Sequence, residues 1–182
     1  MDNRSLLDIN YPTLTQPDLD WIQGIRKRHD ELYFEVVAPH FTLVFPTFNQ
    51  EEAAFSEHVR QIAHKTQPFD FVLRCAVLGD DAFSDYTHVL LVPDEGYSQI
   101  VRLHDRLYTG ILSEELRLDI PFVPHIGIAN SKDPKTCKHL VDEINARAFE
   151  ISGRVEHLDV IEYADNRVRT LEHIPLGSGG KL

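Results

Sequence analysis

The chain has 182 residues, of which 42% are hydrophobic and 26% charged, and it carries a formal net charge of −11. That is ordinary globular composition, long enough for one domain with a real core. The acidic balance argues against a general binder of duplex DNA, which needs a basic face. No apolar run approaches the roughly 18 residues of a membrane span. Met1-Asp2-Asn3-Arg4-Ser5 lacks the pattern of a secretory signal. The two cysteines, Cys75 and Cys137, sit at no metal-ligand spacing. The expectation is a monomeric cytoplasmic protein with free thiols, no cofactor and no metal.

Leu6 to Tyr11 reads as a first strand closed by Pro12. Thr15 as cap and Pro17 in the first turn start a helix whose face carries Leu19, Ile22 and Ile25. The basic run Arg26-Lys27-Arg28 on that helix reads as a solvated face. His40 to Phe45 alternates as a strand and stops at Pro46. Asn49 with Glu52 resembles a capping box before a helix carrying Phe55, Val59, Ile62 and Ala63. Phe69, Phe71, Leu73, Cys75 and Val77 then alternate on one strand face, with a turn predicted at Gly79-Asp80-Asp81.

His88 to Val92 reads as its antiparallel partner. Helical spacing follows from Ile100 to Leu112, with His88 and His104 placed as packing residues. A strand begins after Pro124. Asp133-Pro134 opens a helix bearing Cys137, Leu140, Val141 and Ile144, and Phe149 to Leu176 reads as two or three strands. Residues 1–176 are expected to form a single bilobal domain, and 177–182 a flexible tail. The predicted class is α+β: two similar lobes of antiparallel sheet, helices packed outside, and a central cleft.

Two segments carry the chemistry. Pro39-His40-Phe41-Thr42-Leu43 and Pro124-His125-Ile126-Gly127-Ile128 lie 85 residues apart (125 − 40), and each puts a histidine after a proline at the head of a strand. Residues two apart in a strand face one side. His40 with Thr42, and His125 with Gly127, therefore share the polar side. Phe41, Leu43 and Phe45, like Ile126 and Ile128, are expected on the core side. By the same alternation Ser131 follows Gly127, while Asn130 points away. Repetition is the signal, because ten histidines in the chain make a single one uninformative. No glycine-rich phosphate loop, His-Glu-x-x-His or Cys-x-x-Cys occurs.

This doubled His-x-Thr pattern resembles the 2H phosphoesterase superfamily, the group of LigT-like 2′-5′ RNA ligases and cyclic nucleotide phosphodiesterases. The tail, Leu158 to Tyr163 and Arg167 to Leu171, is similar to the family's closing strands. The resemblance implies a metal-independent phosphodiesterase with His40 and His125 as catalytic acid and base and Thr42 as phosphate donor. The partner would be a small nucleotide or an RNA end with a cyclic phosphate. Gly127 departs from the pattern, since it supplies no hydroxyl.

Tyr163 is the preferred base-stacking residue, ahead of Tyr11 and the core-side Phe45. Arg167 and Arg169 share a face that could hold phosphate or simply border solvent. His29, His139, His157 and His173 are read as exposed or structural, and His58 and His64, six apart on a predicted helix, fall on different faces and make no metal pair. The competing class is a non-catalytic nucleotide- or RNA-binding module with the same cleft. It would bind without turnover.

Overall fold

The computed structural model describes residues 4–81 and 84–177. Its elements are β1 (Ser5–Asn10), β2 (Thr13–Leu14), α1 (Gln16–His29), β3 (Phe41–Thr47), α2 (Glu52–His64), β4 (Phe69–Asp80) and β5 (Thr87–Glu95). They continue as α3 (Tyr97–Leu107), a 3-10 helix (Gly110–Glu115), β6 (Ile126–Ser131), α4 (Pro134–Asn145), β7 (Ile151–Val155), β8 (His157–Ala164) and β9 (Arg167–Pro175). The tail expected at 177–182 lies, apart from Gly177, outside the described residues. No helix among the described residues is long and apolar enough to cross a membrane.

The strands form two antiparallel sheets, ordered β3-β1-β8-β9 and β2-β7-β4-β5-β6. This is the predicted α+β class, with the two proline-histidine strands, β3 and β6, each at the edge of its own sheet. Each leads into a helix on that sheet: α2 packs on β8, β9 and β1, and α4 on β4, β5 and β6. Each sheet thus repeats the step from histidine edge strand to packed helix. After α2, however, the chain crosses to the opposite sheet to form β4 and β5. One apolar cluster, including Phe41, Phe55, Phe71, Leu91 and Leu158, runs through both sheets.

Several local expectations hold for the predicted reason. The Thr15 hydroxyl accepts from the Asp18 amide, and Pro17 sits in the first turn of α1. Asp133 caps α4 through the Lys135 amide. Others are corrected. The N-cap of α2 is Glu51 with no side-chain cap bond, so the Asn49–Glu52 capping box does not form. Strand β4 runs on through Gly79 and Asp80 instead of turning there. Helix α3 ends at Leu107, and Gly110, with φ +55°, begins the separate 3-10 helix. Strand β3 continues through Pro46, which an edge strand tolerates because no partner needs the missing N–H.

Irregularities in strand pairing shift the alternation, three of them at positions the sequence reading depends on. In β3, Asp8 pairs with Val44 and Ile9 with Thr42, leaving Leu43 as an extra residue. Leu43 and Val44 are both buried, and Phe45 is turned out of the core. In β4 an extra Arg74 makes Ala76 the next buried residue, in place of Cys75 and Val77. In β6 an extra Ile128 reverses the expected sides of Asn130 and Ser131.

Candidate active site

A cleft of about 430 Å³ holds His40, Thr42, His125, Gly127 and Tyr163, all five residues singled out from the sequence. Strand alternation delivers His40 and Thr42 from one sheet and His125 and Gly127 from the other. Leu7, Ile9 and Ile161 form the floor beside His40, and Leu90 faces Gly127 across its β5 pairing.

The two histidines are built alike. Nδ1 of His40 lies 2.8 Å from the Ala38 carbonyl, and Nδ1 of His125 lies 2.6 Å from that of Val123. Each bond runs to the residue two places back. A carbonyl only accepts, so Nδ1 carries the proton in both rings. Nε2 is then the nitrogen left to exchange a proton with a ligand.

Burial pushes His40 down to about 4, against the opposing pull of its Ala38 bond. The Arg26 charge, and that of His125 when it is protonated, add to that depression. His125 is also lowered, chiefly by burial and further by His88. Both shifts favour the neutral imidazole near pH 7.

The structure adds residues that sequence reasoning had placed elsewhere. Phe45, assigned to the core, lines the cleft because of the bulge in β3. His88, assigned to packing, lines it too. Its ring stacks on Tyr33 at 6.3 Å, and its Nε2 lies 3.3 Å from Asp81. The signal was present: His88 and Leu90 are two apart on the strand beside β6. Tyr11 lies edge-on to His40 at 6.2 Å without lining the cleft. His104 is a packing residue as expected, buried, stacked on Phe122 and bonded to the Leu43 carbonyl. Arg169 pairs with Glu162 on the far face of the sheet, and Val168 takes the cleft position between the two arginines.

Arg26 is the largest correction. It is 2% exposed rather than solvated. Its guanidinium pairs with buried Asp30 at 2.8 Å and donates to the carbonyls of Tyr33 and Val37. Asn130 donates to Asp30 at 2.6 Å and accepts from the Glu31 amide. This buried knot fixes the 30–38 segment between α1 and β6, and so fixes the approach to Pro39 and His40.

Gly127 opens a second, small hollow of about 40 Å³ against His40, His88, Tyr33 and Asn130. A Cβ built at Gly127 would meet no heavy atom within 4 Å. The missing side chain thus leaves space rather than a filled wall.

A cleft between two antiparallel sheets, with one histidine edge strand from each, defines a two-histidine α+β class. The chain belongs to the 2′-5′ RNA ligase superfamily, whose family model matches residues 14–167. This is the 2H phosphoesterase group expected from the doubled motif, and membership supports phosphodiesterase-type activity. A protein of Oceanobacillus iheyensis named as a phosphoesterase is 27% identical over 155 residues, 84% of this chain and 86% of its own length. A similarly named Bacillus licheniformis protein is 25% identical over 149 residues, 81% of this chain and 84% of its own. Among solved structures, TT0787 of Thermus thermophilus shares the fold with a TM-score of 0.60 at 16% identity, covering 95% of this chain and 98% of that one. E. coli LigT complexed with 3′-AMP has a TM-score of 0.55 at 20% identity, with coverage of 95% and 98%.

Proposed function

We propose that the chain is a metal-independent phosphodiesterase that opens a 2′,3′-cyclic or related phosphodiester on a small nucleotide or RNA end. The observation that carries this reading is the matched pair of imidazoles, each locked by Nδ1 to the carbonyl two residues back. Two such groups in one cleft supply one proton acceptor and one proton donor.

In the hydrolytic direction a neutral imidazole takes a proton from water as its oxygen bonds to phosphorus. The other, protonated, imidazole gives its proton to the ribose oxygen as the P–O bond breaks. The product is a phosphomonoester. In the reverse direction the two roles exchange. Each role is typically worth about 10²–10⁴ in rate. The negative charge of a bound phosphodiester raises the neighbouring imidazoles, so substrate itself favours the charged acid the mechanism needs.

Thr42 supplies the phosphate-binding hydroxyl of the first motif. On the Gly127 side the small hollow gives the Tyr33 hydroxyl, the His88 ring and the exposed main chain access to the position a second hydroxyl would occupy. Among the described residues lining the cleft, none is Lys or Arg. Its walls are mostly apolar, with Tyr163, Tyr33 and Phe45 as aromatic surfaces for a base. A single phosphate with an attached nucleoside fits this chemistry better than a long polyanionic strand. The nucleotides named in the LigT complexes, 3′-AMP and ATP, support a ligand of that size.

The test is turnover of 2′,3′-cyclic nucleotides and cyclic-phosphate RNA ends by protein stripped with chelator. Hydrolysis that persists without metal is the expected result. Nucleotide binding with no turnover would instead establish the binding-module reading.

A further inference from the structure

Among the described residues outside the cleft, a cluster of side chains remains unexplained by the proposed chemistry. His157, Asp159 and His173 bring one ligand atom each to within 4.8 Å of one another. Asp159 stands between the two rings. Its Oδ1 lies 2.8 Å from His173 Nδ1, and its Oδ2 lies 3.1 Å from His157 Nε2. The ring centroids are only 4.1 Å apart.

We propose that His157, Asp159 and His173 form a binding site for a divalent first-row transition metal of the Zn²⁺ class, separate from the histidine cleft.

The donor set is two imidazoles and one carboxylate, which suits Zn²⁺ and its neighbours rather than Mg²⁺ or Ca²⁺, whose sites are built from oxygen. The distances fit. Metal–ligand bonds of ~2.0–2.1 Å in tetrahedral geometry put donors ~3.3 Å apart. The two carboxylate–imidazole contacts need to open by a few tenths of an ångström, and the donors, all within 4.8 Å of one another, to draw in to that spacing.

An independent observation points to a missing ligand. The Asp159 side chain is 3% exposed, yet its Oδ2 has no hydrogen-bond partner. Its nearest polar neighbour is His157 Nε2, in ion-pair range at 3.1 Å. A buried carboxylate oxygen left unpaired is costly, and a cation between it and the imidazole removes that cost. The His173 side chain is 58% exposed, which gives an entry path and room for water as a fourth ligand.

The site has a defined relation to the cleft. Thr42 pairs with Ile9, Ile9 with Asp159, and Asp159 with His173. These four residues form one row across β3, β1, β8 and β9. With strands ~4.8 Å apart, Asp159 lies about 10 Å from Thr42 along the sheet. Asn10 donates to the His157 carbonyl at 2.8 Å, tying the end of β1 to the start of β8. Two of the chain's crossings between the sheets, β1 to β2 and β7 to β8, pass through this corner. A metal would clamp this junction without entering the chemistry.

The test uses full-length protein stripped with chelator and then titrated with ZnCl₂ or CoCl₂. Calorimetry should show one saturable site. Cobalt should give visible d–d bands, and zinc should raise Tm. His173→Ala, at an exposed position, should abolish all three. The expected loss of affinity is more than about 100-fold, since even residues that merely orient ligands are worth 10–100-fold. Asp159→Asn should do the same if it folds. His40→Ala should bind metal normally. Chelator-resistant turnover, where present, should be the same in His173→Ala and wild type. Absence of saturable binding, or binding undiminished in His173→Ala, would overturn the proposal. Neither result would touch the phosphodiesterase reading, which is assayed without metal.

Discussion

Replacing Gly127 by threonine restores the side chain that the doubled motif lacks, and its outcome can be worked from the structure. No heavy atom lies within 4 Å of the added Cβ, so the first atom of the new side chain meets no clash, and the small hollow beside it gives the remaining atoms a direction to extend. The backbone there is ordinary strand in β6. Removing a glycine from a strand interior gains roughly 0.5–1 kcal/mol. For a domain of this size that is about 1–4 °C in Tm. The hydroxyl adds a separate effect. Loss of one transition-state donor costs about 10²–10³ in rate. Tyr33, His88 and the main chain already border the same hollow, so partial recovery is expected, on the order of tenfold in kcat/KM. Gly127→Ala separates the two effects, because it takes the strand gain without the hydroxyl. The assay is hydrolysis of a 2′,3′-cyclic nucleotide in chelator, beside thermal melts followed by circular dichroism. Both variants should melt higher than wild type, and only threonine should be faster. Equal rates for alanine and threonine, or a slower threonine enzyme with intact fold, would refute the reasoning and make the glycine a feature kept for close ligand approach.

Further outcomes follow from the buried charges. Arg26→Met leaves Asp30 buried without its cation, and urea unfolding should show a loss of about 3–5 kcal/mol. The fully buried Asp8 has no hydrogen-bond partner, and burial, then the nearby Asp159 charge, pushes it well above the usual carboxylate range. Such a raised group favours folding below the unfolded value near ~3.9 and costs stability as pH rises above it. Asp8→Asn should therefore raise Tm at pH 7 and lose that advantage toward pH 4.

His40 has the opposite sign, being a base pushed down to about 4 from 6.5. Its contribution to stability is full above pH 6.5 and lost as pH falls toward 4. Affinity for a nucleoside monophosphate, measured by calorimetry, should instead strengthen from pH 7.5 to about 6, because the bound anion recruits a proton to the cleft. That pH dependence should shrink in His40→Ala and His125→Ala.

The cleft was legible in the sequence because its key feature is local. A proline, a histidine and alternating apolar residues fix which side of a strand faces the ligand, and the repeat marked both strands. What was lost was phase. The extra residue at Leu43 turned Phe45 into the cleft, and the extra residue at Ile128 brought Asn130 to the Gly127 hollow. Nothing in a run of apolar residues announces a bulge, since the partner strand creates it. His88 was misassigned because its neighbours are apolar, although its strand lies beside β6. Arg26 shows the same limit with charge: only the fold brings Asp30 and two carbonyls around a residue in a basic run. The row from Thr42 to His173 joins four strands far apart in the chain, so no spacing rule could have assembled it.

The central claim is that His40 and His125 act as one acid–base unit. It is tested most directly by single-turnover rates on a cyclic nucleotide for wild type, His40→Ala, His125→Ala and the double variant, all in chelator and all checked for fold. Each single variant should lose about 10²–10⁴ in rate, and the double should be little worse than either, because the two residues serve one transition state. A single variant at the wild-type rate, or fully additive losses in the double, would contradict the account.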